Sequence, residues 1–232
     1  MEVKYNLEEL KEFIQNGKKI NYGKIGSTVL YNGKLIKFDN AIYNYLKKSS
    51  NSSYQIESFL YNACLENHFI DLKQLDYLIS KQDKVKLTKF PEGICTLNDL
   101  PIGILLPYYD GYRYSLQFLD DISNEELYSI LKSVLLRIKE LEENGIYKLD
   151  LTAKSVLYNG ISPKIVDLHG SKLKYGEDDN YKATVYNEYI MFFHSLLKSV
   201  ADPKIHERFA DVFNLDINNY EDCYKVVKRL EK

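Results

Sequence analysis

The sequence predicts an α+β fold, with a small antiparallel sheet and a helix in its N-terminal part and a mostly helical, short C-terminal part. Three observations predict it. Asn32-Gly33 sits between the β-rich runs V-L-Y and L-I-K-F, and Asn-Gly supplies the two positive-φ residues that the tightest hairpin turn requires. Ser123 with Glu126 forms a capping box ahead of a long amphipathic run that stops at Asn144-Gly145. From Ala183 onward the apolar residues recur at helical spacing, over roughly 184–199, 203–213 and 219–231.

Taken in order, Asn6 and Glu9 have the form of a capping box for a short leading helix carrying Leu7, Leu10, Phe13 and Ile14. Between Ile20 and Phe38 the pattern changes to β, punctuated by Gly23 and Gly26 and closed by the Asn32-Gly33 hairpin. Residues 47–53, K-K-S-S-N-S-S, read as a loop. Helices are predicted over 54–66 and 71–81, and three short strands between Lys84 and Tyr108. After the long helix, V-L-Y-N-G recurs at 156–160 and is followed by P-K-I-V-D, a second tight hairpin of the same turn chemistry. The segment around Pro107 to Gly111 is then the joint between an N-terminal lobe, residues 1–107, and a C-terminal lobe, residues 108–232, that together form one domain with a shared cleft.

Composition narrows the function. With 45% hydrophobic and 28% charged residues, the 232-residue chain is an ordinary globule able to bury a core. A net charge of −2 gives no field that would draw in a polyanion, so nucleic acid is not an expected partner. Cys64, Cys95 and Cys223 are widely spaced and form no C-x-x-C pair, which speaks against a disulfide framework or a zinc site and for a reducing cytoplasm. The opening M-E-V-K-Y-N-L-E-E-L has no apolar signal core. The longest apolar stretch, Tyr189 to Leu197, falls short of the ~20 residues of a membrane helix. No membrane association is expected.

The chemistry-bearing residues follow a definite order: glycine-punctuated hairpin, lysine-bearing strand, helix, strands, joint, long helix, acidic loop, hairpin, second acid. The segment G-I-Y-K-L-D-L-T-A-K-S-V-L-Y, followed by P-K-I-V-D-L-H-G, resembles the catalytic and metal-binding loops of the protein-kinase superfamily, where H-R-D-x-x-x-x-N precedes D-F-G. The resemblance spans roughly residues 20–230 and is to a degenerate, bacterial-type Ser/Thr kinase-like domain. It implies a two-lobed fold, ATP and Mg²⁺ as cofactors, and phosphate transfer to a hydroxyl of a protein or a small molecule.

Position by position, the resemblance makes Lys37 the ligand of the ATP phosphates and Glu57, twenty residues later, the carboxylate that orients it; Glu66 shares the same predicted helix. Asp150 corresponds to the aspartate that positions the attacking hydroxyl, and Asp167 to the one that binds magnesium, a cation that requires hard oxygen donors. Gly23 and Gly26 resemble part of the phosphate-covering glycine loop, where backbone N–H groups must approach anionic oxygen without interference from a Cβ. The adenine would lie along Leu105 to Tyr109, with Leu106 and Tyr108 as its backbone contacts.

The departures bear on activity. Ser155 stands where the family has a metal-binding asparagine, so its shorter hydroxyl is the implied second metal ligand. Asn21 replaces the first glycine of G-x-G-x-x-G, Lys148-Leu149 replaces His-Arg, Thr152 stands where a lysine is usual, with Lys154 nearby, and Leu168-His169 replaces Phe-Gly. Asn187 or Glu188 takes the place of a downstream structural aspartate, and there is no A-P-E motif. These changes leave two readings open: a phosphotransferase, or a pseudokinase that binds nucleotide or a regulatory partner without transferring phosphate.

Overall fold

The computed structural model describes residues 2–22, 26–48, 53–66, 70–114, 123–147, 151, 155–168, 172–173 and 220–228. The chain is α+β and divides into two compact units, residues 1–82 with 89–109 and residues 83–88 with 110–232.

The first unit is built on a six-stranded mixed sheet. Its strands are β1 (Glu2–Tyr5), β2 (Lys18–Tyr22), β3 (Gly26–Tyr31), β4 (Lys34–Asp39), β5 (Gly93–Leu97) and β6 (Leu100–Leu106), in the spatial order β1-β5-β6-β4-β3-β2. β1 runs parallel to β5 at the edge, and every other pair is antiparallel. Helix α1 (Leu7–Asn16) connects β1 to β2, and α2 (Asn40–Lys48), α3 (Ser53–Glu66) and α4 (Leu72–Ser80) lie between β4 and β5.

Local chemistry accounts for most of these elements. Asn6 caps α1 through the reciprocal bonds of a capping box: its side chain accepts from the Glu9 N–H, and the Glu9 carboxylate accepts from the Asn6 N–H. Asn32 and Gly33 turn the β3–β4 hairpin with φ of 48° and 74°. The buried Asp39 ends β4 and starts α2 at once, because its Oδ1 accepts from the N–H groups of Ala41 and Ile42 at 2.7 and 3.3 Å. Helix α2 and strand β1 are additions to the elements expected from sequence.

The three strands expected between Lys84 and Tyr108 are two, β5 and β6. Residues 84–92 are irregular, and three of their backbone donors go to side chains. The Glu140 carboxylate accepts from the Lys86 and Leu87 N–H groups at 2.6 and 2.9 Å. Gln82 Oε1 accepts from the Phe90 N–H at 2.8 Å, and Pro91 has no N–H to offer a ladder.

The core of this unit centres on Phe13, whose ring meets Tyr5, Tyr31 and Phe38 edge-on at 5.8, 5.5 and 6.0 Å. Ile36 and Phe38 point from β4 into the same cluster, which Leu10, Ile42, Leu46, Ile56 and Leu60 supply from α1, α2 and α3. Each such side chain fully buried contributes about 1.5–3 kcal/mol. The helices therefore cover the sheet face that carries Ile36 and Phe38.

The second unit is organised by α5 (Asn124–Glu143), with Ser123 and Glu126 forming the expected capping box. Leu127, Ile130, Leu131, Val134, Leu135, Ile138 and Leu141 form its buried stripe, and Gly145, at φ 74°, follows its end. Around it lie β7 (Arg113–Tyr114), β9 (Val156–Tyr158) and β10 (Pro163–Ile165) in one small sheet, β8 (Ile146–Tyr147) paired with β11 (Lys172–Leu173), and α6 (Tyr220–Val227). α5 packs on β8, β10 and α6.

The expected second hairpin is β9–β10, its turn held by Asn159 Oδ1, which accepts from the Ile161 and Ser162 N–H groups. The helix expected over 219–231 appears as α6, and those expected over 184–199 and 203–213 lie outside the described residues. Among the described residues no helix is long and apolar enough to cross a membrane.

Candidate functional site

In the first unit, Lys37 lies at the middle of β4, opposite Thr28 of β3 and Ile104 of β6. Side chains alternate along a strand, so Lys37 projects from the sheet face opposite to that of Ile36 and Phe38. Thr28 and Ile104, its cross-strand neighbours on that face, are both buried, and Lys37 is itself half-buried. Leu106 follows on β6 opposite Leu35, the Leu105 carbonyl accepts from the Glu92 N–H at 2.8 Å, and Tyr108 is exposed. Gly26 is buried at the start of β3 opposite Asp39, and Gly23 lies outside the described residues.

Glu57 does not join Lys37. It is exposed on α3, where its Oε1 accepts from Asn98 Nδ2 at 3.1 Å. The spacing that suggested the pair assumed that β4 leads through a loop to the next helix. Instead α2 occupies the interval, and α3 is laid against β6 and the core cluster of Ile36 and Phe38, on the face from which Lys37 points away.

In the second unit two predicted residues flank one hairpin. Ser155 directly precedes β9, and Asp167 follows β10 by one residue. Beyond the last ladder pair, Val156 with Ile165, the Val166 N–H donates to the Ser155 carbonyl at 2.8 Å. This bond carries the hairpin one step past its ladder, with Val166 opposite Ser155 and Asp167 next along the chain. Ser155 is buried at 4% exposure, Asp167 is half-buried, and Leu151 and Leu168 are buried apolar residues of the same region.

Asp167 has φ 62°. Left-handed backbone at a residue with a Cβ costs about 1–2 kcal/mol, least for Asp and Asn, and such strain concentrates at functional sites. Nothing in V-D-L-H-G announces this conformation, because it carries no glycine at the strained position. Asp150, Thr152, Lys154 and His169 lie outside the described residues.

Magnesium is held in proteins by one or two carboxylates and keeps several of its waters. The Asp167 carboxylate and the Ser155 hydroxyl are of the right donor type for that coordination. Among the described residues no group of three His, Cys, Asp or Glu side chains could hold a metal ion. Neither a protein-family model nor a curated protein matches the chain.

Proposed function

We propose that the chain is an ATP- and Mg²⁺-dependent phosphotransferase of the protein-kinase-like kind, acting on a hydroxyl of a protein or a small molecule. The observation that carries the reading is the β9–β10 hairpin, which has the two candidate metal ligands at its open end: Ser155 directly precedes β9, and Asp167 follows β10 by one residue in left-handed backbone. Five antiparallel strands in the order β2-β3-β4-β6-β5, with helices inserted directly after the lysine-bearing strand, support it further.

In this reading the Lys37 ammonium would bind the α- and β-phosphates, the Asp167 carboxylate would hold the magnesium, and Ser155 is the implied second metal ligand. Asp150 would accept or orient the proton of the attacking hydroxyl, and the chain at Leu105 to Tyr109 would lie along the adenine. Bound magnesium would neutralise charge on the β- and γ-phosphates. Phosphoryl transfer asks for little covalent chemistry from the protein, so aligned acceptor and fixed charge supply most of the rate. Lys37 needs its charge held without Glu57, which serves Asn98 instead.

A second reading, a nucleotide-binding module that transfers nothing, is favoured by Ser155. Its hydroxyl is shorter than an asparagine amide and is buried, so it reaches a metal only through a water. Transfer from labelled ATP to the protein itself and to hydroxyl compounds separates the two. The first reading expects transfer by the wild type, falling by about 10²–10⁴ in Asp150→Ala. Nucleotide binding without transfer supports the second, and absence of nucleotide binding ends both.

A further inference from the structure

A groove of about 280 Å³ opens on the first unit, with Glu9, Glu12 and Phe13 of α1 on one wall and Tyr5, Tyr31 and Lys34 of the strands on the other. Its floor is aromatic, since the Tyr5 and Tyr31 rings both rest edge-on against buried Phe13. Its acidic rim is held in place. Glu9 is fixed by the capping box through Oε2, and the Tyr31 hydroxyl donates to Glu12 Oε1 at 2.6 Å. Among the described residues, Glu9 Oε1 and Glu12 Oε2 accept no hydrogen bond.

One cation already sits there. Lys34 Nζ lies over the Tyr5 ring at 5.6 Å from its centroid and makes no ion pair among the described residues. Lys4, the other basic residue on the groove, is neutralised by Asp99 at 2.7 Å and faces Glu2 at 3.8 Å. Burial above all, then Cys95 and Glu9, push the Tyr5 phenol up to about 12, so the ring stays a neutral π-donor at ordinary pH. An aromatic face with carboxylates beside it attracts an alkylammonium by its quadrupole and by charge together.

We infer that this groove is a binding site for an alkylammonium group, and that Lys34 is its tethered competitor, lying over the Tyr5 face that an external cation would take. The ligand is an aliphatic chain ending in a positive nitrogen, presented either by a free amine or by a lysine side chain of a peptide.

The probe is n-butylammonium, the Lys34 side chain cut free of its backbone, titrated against the intact protein by NMR. 1-Butanol is the neutral control, and Nα-acetyl-lysine methylamide represents peptidyl lysine. Saturable shifts at Tyr5 and Tyr31 are expected with the amine, and about fivefold weaker binding with the alcohol. Lys34→Ala should bind the amine about threefold more tightly, and Glu12→Gln about threefold more weakly. Glu12→Gln keeps an acceptor for the Tyr31 hydroxyl, so the fold is retained.

Tighter binding of the blocked lysine than of the free amine assigns the site to peptides, and the reverse assigns it to free amines. Equal binding of amine and alcohol, no saturation, or unchanged or weaker binding in Lys34→Ala overturns the inference. None of these readouts depends on ATP, so the site stands or falls apart from the phosphotransferase reading.

Discussion

Gly103 is a position where the first unit leaves no room for a side chain. A Cβ there would stand 2.8 Å from Ile36 Cγ2, 3.1 Å from Phe38 Cδ1 and 3.2 Å from the Lys37 carbonyl oxygen. The first contact is a rigid branched methyl in the core, and the third is backbone of the strand that carries Lys37. Gly103→Ala therefore forces β6 and β4 apart, an overpacking that costs about 1–3 kcal/mol. In a unit of this size each kcal/mol moves the melting temperature by about 4–8 °C, so the midpoint should fall by roughly 10 °C.

Gly33 gives the contrast, because a Cβ there meets nothing within 4 Å and only its φ of +74° resists substitution. Gly33→Ala should cost about 1 kcal/mol, and Gly33→Asn less, because asparagine tolerates that backbone. At Gly103 the order reverses: asparagine is worse than alanine. Ile36→Leu removes the offending methyl and should recover part of the Gly103→Ala loss, with a coupling of about 1 kcal/mol in a double-mutant cycle. Thermal unfolding followed by far-UV circular dichroism measures all of these. A Gly103→Ala midpoint unchanged from wild type, or an equal penalty at Gly33 and Gly103, would refute the close approach of β6 to β4.

Asp39→Ala should destabilise the first unit by about 1 kcal/mol, and Asp39→Asn by less, because the side chain caps α2 through two N–H groups; urea unfolding reads the difference. Glu140→Ala releases the Lys86 and Leu87 N–H groups, so limited trypsin digestion should cut within residues 83–88 faster than in wild type, while Glu140→Gln, able to accept only one of the two bonds, falls between. Burial holds the Cys95 thiol neutral and pushes it up from 9.0 to about 12. A folded-state pKa raised in this way stabilises the protein fully below pH 9 and loses that contribution as pH climbs toward 12. Urea midpoints across this window should fall in wild type, and Cys95→Ala should make the fall shallower, leaving the decline that Tyr5, raised to about 12, contributes together with the Cys64 thiol and the Tyr31, Tyr147 and Tyr158 phenols, also raised.

What could be read from sequence was what short-range chemistry dictates. The capping boxes at Asn6 and Ser123, the Asn32-Gly33 turn and the stop at Asn144-Gly145 each depend on a few neighbouring residues, and each is present. β1 escaped notice because its partner, β5, lies some ninety residues away, and a parallel edge pairing leaves no local trace. α2 was less hidden: Asp39 as a cap with Ile42, Tyr43 and Leu46 at helical spacing is a legible signal. It fills most of the interval between Lys37 and Glu57, which is why their spacing alone does not pair them.

Residues 84–92 misled in the other direction. Val85, Leu87 and Phe90 look like strand residues, and only the distant Glu140 carboxylate shows where two of their backbone donors go. In the candidate site, the order of Ser155, hairpin and Asp167 was legible, because a tight turn returns the chain to its starting level. The left-handed backbone of Asp167 was not, since it is imposed by the structure around it and not by its own sequence.

The nucleotide reading meets its most direct test in thermal unfolding with and without Mg-ATP, on the wild type and on Asp167→Asn, a substitution that keeps the tolerance for left-handed backbone and removes the charge. Ligand at about 100 times its Kd should add about 2.7 kcal/mol to the wild type, and the Mg²⁺-dependent part of that gain should vanish in Asp167→Asn. A wild type whose midpoint is indifferent to Mg-ATP, or an Asp167→Asn variant that gains as much as the wild type, contradicts it.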